Sequence, residues 1–213
     1  MAKQTTQVYE DLKKKIIKGD YSPSESLPEQ ELSNQYGVSR NTIKKVLLML
    51  EKESLVTIEL NKGAKVRSYS LNEVLEFLEL RSCLEGFIIR QAVPAITNEQ
   101  LHNLEQTLNI MKQHYNNHEL LLYSQNNQIF HQIIYDACPN RTAVNMTISL
   151  KNQMRKYNTK TILIPGRDNQ SFSEHHAIYE AVKNRDAELA QALMSRHILN
   201  VRKTFEENFT LLF

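Results

Sequence analysis

The segment from Gly37 to Leu50 constrains this chain more than any other, because it combines a turn, a helix cap and a two-faced helix. Gly37 can form the turn, and the Ser39 hydroxyl can accept hydrogen bonds from the first free N–H groups of the helix. Apolar residues at i, i+3, i+4 and i+7 share one helix face: Ile43, Val46, Leu47 and Leu50. The opposite face is polar and basic at its N-terminal end, with Arg40, Asn41, Lys44 and Lys45. A helix that inserts its N-terminal residues into the DNA major groove needs this arrangement, although a solvated surface helix can share it.

The flanking segments favour DNA binding over a plain surface helix. Residues 4–18 carry apolar side chains at helical spacing, and residues 27–36 predict a short second helix. Downstream, residues 55–60 and 64–67 are β-prone and enclose a turn that contains Gly63, which predicts a basic hairpin. Three helices followed by such a hairpin form a winged helix-turn-helix, whose hairpin tip can contact DNA phosphates.

Residues 5–67 resemble the DNA-binding domain of the GntR family of bacterial transcription regulators. The resemblance rests on the pattern Leu27-x-Glu29-x-x-Leu32-x-x-x-x-Gly37-Val38-Ser39-Arg40, on the helix through Leu50 and on the wing glycine Gly63. It implies that Arg40 and the basic residue four positions later, Lys44, contact DNA.

Several predicted contact positions depart from the family pattern. Asn41 and Thr42 stand where threonine and proline are usual, Lys44-Lys45 stands where Arg-Glu is usual, and Gln30 stands where arginine is common. Because lysine cannot form the planar fork that arginine offers to guanine, we expect the lysines to anchor phosphates. Base reading is then expected of Arg40 and Asn41. The predicted DNA-contacting set is Gln30, Ser39, Arg40, Asn41, Lys44, Lys45, Lys62 and Gly63.

The distribution of charge agrees with a DNA-binding N-terminal part. Residues 1–68 contain 12 Lys and Arg against 9 Asp and Glu, a net charge of +3, whereas the remainder contains 14 against 15. Residues 39–45 alone carry three positive charges and no acid. No apolar run approaches a membrane span, the N-terminus lacks a signal-peptide core, and two cysteines do not make a disulfide framework. We therefore expect a cytoplasmic protein with no membrane segment.

Beyond the hairpin the signals are helical. Six helices with short connections predict an antiparallel bundle, so the expected fold class is mainly α. An N-terminal winged helix-turn-helix would cover residues 1–68, a linker residues 69–71, and a C-terminal all-helical bundle residues 72–213. Capping boxes at Ser70 and Thr97 begin the first two bundle helices. The predicted bundle helices cover about 71–91 (ended by Pro94), 98–111, 120–137, 142–162 (ended by Pro165-Gly166), 174–184 and 187–205.

Residues 72–209 resemble the FCD domain, an all-helical effector-binding module found in one branch of the GntR family. The six predicted helices match the shorter of its two common versions. The motifs that carry the resemblance are Phe130-His131, Cys138-Pro139-Asn140, Glu174-His175-x-x-Ile178 and Asp186-x-x-x-Ala190-x-x-x-Met194-x-x-His197.

This second resemblance implies a divalent metal held inside the bundle by His131, His175 and His197. The family's fourth ligand is an aspartate one helical turn before the first histidine, and here that position is Asn127. Asn127 and His131 are four residues apart, so both can face one site. Neutral imidazoles suit zinc or nickel and would leave the ion its positive charge and open positions. Such a centre should attract a carboxylate, although each histidine could instead be an ordinary hydrogen-bonded core residue.

A carboxylate effector would also need a cation from the protein. Arg81 on the first bundle helix is the candidate, with Arg155 on the fourth as a second, although either arginine could instead form an ordinary ion pair. We therefore expect a transcription regulator, a repressor rather than an activator, that binds a pseudo-palindromic double-stranded operator as a homodimer and senses a small carboxylic acid. One alternative is a constitutive DNA-binding protein whose bundle only dimerises. A metal-dependent hydrolase with Glu174 as general base is the other, but the chain has no nucleophile motif, phosphate loop or cofactor fingerprint.

Overall fold

The computed structural model describes residues 2–59, 62–153 and 161–212. The main division between two compact units falls between Ser70 and Leu71. Within the described residues the chain forms nine α-helices, one two-stranded sheet and one turn of 3-10 helix. None of the described helices combines the length and hydropathy that crossing a lipid bilayer requires. The predicted fold class, a winged helix-turn-helix followed by a helical bundle, is confirmed.

The first unit contains three helices and the hairpin. Its elements are α1 (Ala2–Lys18), α2 (Glu29–Tyr36), α3 (Arg40–Lys52), β1 (Val56–Glu59) and β2 (Gly63–Val66). The strands pair antiparallel from Val56 opposite Val66 to Glu59 opposite Gly63. The Leu27 N–H donates to Ala64 O at 2.8 Å, which fixes the segment before α2 to the edge of the hairpin. The predicted wing is therefore part of one folded unit with the helices.

The turn between α2 and α3 has the predicted local chemistry. Gly37 adopts φ +61°, a left-handed conformation that glycine accepts without steric cost, and it ends α2. Ser39 caps α3, because its Oγ accepts a hydrogen bond from the Thr42 N–H at 3.2 Å. The four apolar residues that were expected to share a face of α3 are all buried, against Val8, Leu12 and Ile16 of α1. This burial holds the polar side of α3 outward.

The second unit consists of six helices within the described residues. They are α4 (Leu71–Ala95), α5 (Asn98–Asn116), α6 (Leu120–Ala137), α7 (Arg141–Gln153), α8 (Arg167–Lys183) and α9 (Ala187–Leu212), with a 3-10 turn over Thr161–Leu163. The most extensive packing between two helices is that of α4 against α9, while α5 packs against α6 and α8. Gly86 permits the α4–α9 contact, since a Cβ at that position would overlap the Ser195 hydroxyl. Ser195 Oγ in turn donates to Ser82 O at 3.0 Å.

Some predicted ends of the bundle helices were right and others were wrong. The Thr97–Gln100 capping box forms, and α6 has the predicted bounds. The first bundle helix, however, does not end at Gln91. It runs through Pro94 to Ala95, so the proline lies in the last turn, where its fixed φ fits the helix and the lost hydrogen bond interrupts little further helix. Arg185 Nη1 satisfies the carbonyls at this end, donating to Val93 O and Ile96 O at 2.8 and 2.7 Å.

Helix α8 begins at Arg167, seven residues before the predicted start at Glu174. The first two turns were missed because their buried face is polar, with Arg167, Ser171 and His175 at i, i+4 and i+8. Apolar periodicity cannot detect such a face. The prediction of one helix over residues 142–162 was also wrong at its end, since Thr161–Leu163 is a 3-10 turn. Residues 154–160 of that range, including Arg155, lie outside the described residues.

Candidate metal centre and nucleic-acid interface

Three histidines from three helices meet in the interior of the bundle. His131 comes from α6, His175 from α8 and His197 from α9, and one ring nitrogen of each lies within 4.8 Å of the other two. All three side chains are buried. Asn127, one turn before His131 on α6, joins them, because its Oδ1 lies 2.9 Å from His175 Nε2. The structure thus brings together all four residues that the sequence suggested as metal ligands.

Contacts on the outer nitrogen of each ring fix how the three imidazoles point. His175 Nδ1 donates to Ser171 O at 2.7 Å, and His197 Nδ1 donates to Glu174 Oε2 at 2.6 Å. His131 Nδ1 lies 3.0 Å from Glu85 Oε2. A neutral imidazole has one N–H, so a proton on Nδ1 leaves the Nε2 lone pair facing inward. Metal-binding histidines are typically oriented through the nitrogen that does not bind the metal.

The inward-facing donor atoms have the spacing of ligands around one ion. His175 Nε2 lies 3.4 Å from His131 Nε2 and 2.9 Å from Asn127 Oδ1. Two ligands about 2.1 Å from a single ion, at roughly tetrahedral or octahedral angles, are about 3.0–3.4 Å apart. Lone pairs that face each other at this distance repel unless a proton or a cation lies between them. The residues therefore fit a divalent ion such as zinc or nickel, which favours nitrogen ligands of this type.

Burial favours the neutral, metal-binding form of His175 and His197. Desolvation lowers the pKa of His175 well below its ordinary value, and the neighbouring His197 and His131 act in the same direction. Desolvation also lowers the pKa of His197, against the opposing effect of its hydrogen bond to Glu174. Because a protonated imidazole cannot ligate a metal, these shifts favour metal binding at neutral pH.

Two buried ion pairs support the histidines. The sequence suggested Arg81 as a carboxylate anchor and Glu174 as the general base of the enzyme alternative, but it gave no role to their partners Glu85 and Arg167. Arg81 Nε and Nη2 donate to Glu85 Oε1 at 2.9 and 2.6 Å, while Glu85 Oε2 faces His131. Arg167 Nη2 donates to Glu174 Oε2 at 2.9 Å, the oxygen that also accepts from His197. The spacing of Arg81 and Glu85, four residues apart on α4, was a sequence signal for the first pair.

The Glu174 carboxylate is ionised although it is largely buried. Burial acts to raise its pKa, but the hydrogen bond from His197 and the charge of Arg167 outweigh it and hold the pKa below the ordinary value. Asn200 Nδ2 donates to the other oxygen, Oε1, at 2.7 Å. Glu174 is therefore engaged on both oxygens, which suits a residue that orients His197 and not a free general base.

The predicted DNA-contacting residues lie on the surface of the first unit. Arg40 begins α3 with 64% of its side chain exposed, and its Nη2 is 3.4 Å from Glu29 Oε2. Gln30 donates to Asn34 Oδ1 on α2. The other members are likewise exposed: Ser39, Asn41, Lys44, Lys45, Lys62 and Gly63. Four of these exposed residues belong to α3, whose apolar face is buried: Arg40, Asn41, Lys44 and Lys45.

The wing is held by a local charge cluster. Glu59 accepts from Lys62 at 3.0 Å and from Lys65 at 3.3 Å, and hydrogen bonds from these two lysines lower the pKa of Glu59. Gly63 at φ +83° follows, again in a conformation that favours glycine. Lys62 keeps 71% of its side chain exposed and can still reach a phosphate.

Comparison with known proteins assigns both units to families. Residues 4–66 match the model of bacterial regulatory proteins of the gntR family, and residues 76–200 match the FCD domain. The uncharacterized HTH-type transcriptional regulator YdhC of Bacillus subtilis is 28% identical over 90% of this chain and 86% of the relative. The Uxu operon regulator of Haemophilus influenzae is also 28% identical, over 94% of this chain and 82% of the relative. The galactonate operon transcriptional repressor of Escherichia coli is 24% identical over 88% of this chain and 90% of the relative.

Solved structures show the same fold. E. coli McbR/YncC superposes with a TM-score of 0.76 at 21% identity, covering 96% of this chain and 98% of that one. A GntR regulator from Rhodococcus sp. RHA1, described as putative, superposes with a TM-score of 0.74 at the same identity and coverage. The order and packing of the elements described above are thus shared with experimentally determined structures.

Proposed function

Since the chain belongs to the gntR family of bacterial regulatory proteins and carries an FCD domain, we propose that it is a repressor released from its operator by a small carboxylic acid. Its family and its relatives are transcription regulators, and this chain is a transcription regulator and not an enzyme. The observation that carries the proposal is the convergence of three imidazole nitrogens and one amide oxygen inside the bundle of a DNA-binding chain.

Binding to DNA would proceed through α3 and the wing, in the cytoplasm. The exposed Arg40 and Asn41 at the start of α3 would read base edges, while Lys44, Lys45 and Lys62 would contact phosphates. A homodimer would place two such helices in successive major grooves of a pseudo-palindromic operator. The relatives, which include an operon regulator and an operon repressor, support this part of the proposal.

Sensing would take place at the histidine cluster. His131, His175, His197 and Asn127 would hold a divalent ion, which supplies positive charge and an open coordination position to an incoming carboxylate. Arg81 stays a candidate anchor for that carboxylate, although the acid would have to share the guanidinium with Glu85. Arg155 stays a prediction from sequence alone. Binding could shift the regulator only by as much as the acid prefers one conformation over the other.

Release of DNA by carboxylic acids tests the proposal. Full-length protein loaded with zinc is bound to a fluorescent DNA that it selects from genomic fragments, and a panel of small mono- and dicarboxylic acids is added. We expect at least one acid to weaken DNA binding. The same acid should have no effect on protein from which a chelator has removed the metal.

The competing function is constitutive repression with a bundle that only dimerises. The specific observation in its favour is Asn127, a neutral ligand where the family has a carboxylate. If no acid changes DNA affinity with or without metal, this alternative replaces the sensor.

A further inference from the structure

The four inward-facing donors of the candidate metal centre carry no charge. Three are imidazoles, which bind a metal only in their neutral form, and the fourth is the Asn127 amide, whose Oδ1 is 2.9 Å from His175 Nε2. Among the residues that the structure describes, no carboxylate or thiolate shares the cluster of histidine nitrogens. None of these ligands would therefore neutralise either of the two positive charges of a divalent ion bound here.

The carboxylates just outside the ligands do not remove this charge, because each has its own arginine. Glu85 accepts two hydrogen bonds from Arg81, at 2.9 and 2.6 Å, and Glu174 accepts one from Arg167 at 2.9 Å. The side chains of both pairs are between 0% and 14% exposed, so solvent screens them weakly. Each pair sums to zero, and the two pairs together leave the charge of the centre unchanged.

The nearby phenols do not supply a negative charge either. A phenol ionises only at about pH 10, so the hydroxyls of Tyr123 and Tyr135 are uncharged at neutral pH. The histidines that surround the ion are themselves buried. Placing an uncompensated double charge in such an interior is unfavourable, since the lost hydration is not replaced by an opposite charge.

We infer that this chain binds its metal cooperatively with an exogenous anion, and that Asn127 is the residue that creates this dependence. The inference rests on the metal centre of the proposed function and adds that the ion binds weakly alone and tightly with the anion. The anion is a small one with an oxygen or nitrogen donor that can fill an open coordination position. By thermodynamic linkage, the factor by which the anion raises metal affinity equals the factor by which the metal raises anion affinity.

The consequence is a requirement for two signals. An ion without the anion, or the anion without the ion, would occupy the site only partly, and only the pair would fill it. An aspartate at position 127 would provide the missing charge from the protein itself and would make metal binding independent of the anion. Asparagine and aspartate have the same shape, so the substitution Asn127→Asp changes charge with little change in packing.

Zinc titration of the full-length, metal-stripped protein tests the inference. A chromophoric chelator reports free zinc, in buffers of equal ionic strength that contain perchlorate, acetate or azide. In the native chain we expect acetate or azide to raise zinc affinity at least about fivefold over perchlorate, the lower end of typical coupling between sites. Asn127→Asp should bind zinc at least about fivefold more tightly than the native chain in perchlorate, because its carboxylate supplies the charge that the anion otherwise adds, and either anion should give little further gain.

Gln128→Glu is the matched control, since it adds the same charge to an exposed neighbouring position of α6. It should leave zinc affinity and the anion effect as in the native chain. The inference is overturned if the native chain binds zinc equally well in all three buffers, or if Asn127→Asp gains no more than Gln128→Glu. If no variant binds zinc in any buffer, the proposed metal centre is wrong as well. The proposed repressor function is tested separately, by operator binding.

Discussion

At the scale of single residues, the proposed metal centre would depend on which nitrogen of each histidine points inward. Sequence patterns, through family resemblance, indicated His131, His175, His197 and Asn127. They could not indicate the partners on the outer nitrogens, because Ser171 O is a backbone atom and Glu85 lies on a helix remote in sequence. The contacts of His131 with Glu85 and of His197 with Glu174 exist only once the helices that carry them are packed. The contact of His175 with Ser171 O lies within α8, in the turns whose helical structure was not predicted.

The two consecutive histidines of α8 provide an internal comparison. His175 is buried in the cluster, whereas His176 is exposed. We expect His175→Ala to reduce zinc from about one ion per chain to nearly none, because it removes a donor that only the folded interior can supply. His176→Ala should keep the native stoichiometry, as measured by elemental analysis of tag-free protein. Equal zinc content in both variants would show that the metal lies elsewhere.

Glu85 should matter for stability and for metal affinity together. Glu85→Gln removes the charge that Arg81 and His131 both face, and leaves Arg81 as a buried cation with a weaker partner. Breaking a buried ion pair costs about 3–5 kcal/mol, and loss of a carboxylate behind a metal-binding histidine lowers affinity about 10- to 100-fold. Urea unfolding and zinc titration would measure the two effects.

Glu79 on the same helix is the control for Glu85. It is 57% exposed and pairs with Arg202 at 3.0 Å on the surface. Exposed pairs contribute about 0–1 kcal/mol, so Glu79→Gln should change neither quantity by much. A Glu85→Gln protein with native stability would contradict the assigned role of the Arg81–Glu85 pair.

At the scale of helices and strands, the sequence was informative wherever caps or apolar periodicity were present. Ser39 and Thr97 cap the helices for which they were predicted, and the hairpin forms around Gly63. The start of α8 could not be predicted from periodicity, because its buried face consists of site residues such as Arg167 and Ser171. The polar composition that hid this helix is the same property that makes its face suitable for a metal centre.

The cap of α3 allows its structural role to be separated from DNA contact. Ser39→Ala removes the acceptor for the Thr42 N–H and should lower the free energy of unfolding of the first unit by about 1 kcal/mol. Ser39→Asp restores an acceptor and should recover that stability, but its negative charge at the exposed end of α3 should weaken DNA binding. Thermal unfolding and DNA binding by fluorescence anisotropy would distinguish the two. If Ser39→Asp is no more stable than Ser39→Ala, the side chain at position 39 does not stabilise α3 as a cap.

At the scale of the whole molecule, the sequence predicted the two kinds of fold but not what the regulator recognises. The match to the gntR family and the FCD domain together spans most of the chain. The effector and the operator remain unspecified by such resemblance, because each is selected by a few side chains on a shared scaffold. For the operator, we propose that those side chains are exposed residues of α3, of which Arg40 keeps the family pattern while Asn41, Lys44 and Lys45 depart from it.

Arg40 and Lys44 should therefore affect operator binding in different ways. Arg40→Ala removes a guanidinium that can donate hydrogen bonds to a base edge. The difference in binding free energy between operator and scrambled DNA should therefore shrink by about 1–3 kcal/mol for each half-site. Lys44→Ala removes a phosphate contact, so both affinities should fall alike and the salt dependence should become shallower by about one charge per subunit. Lys52→Ala, at the other end of α3 and also exposed, should change neither. If Arg40→Ala kept the native ratio of operator to scrambled DNA, base reading would have to lie elsewhere on α3 or on the wing.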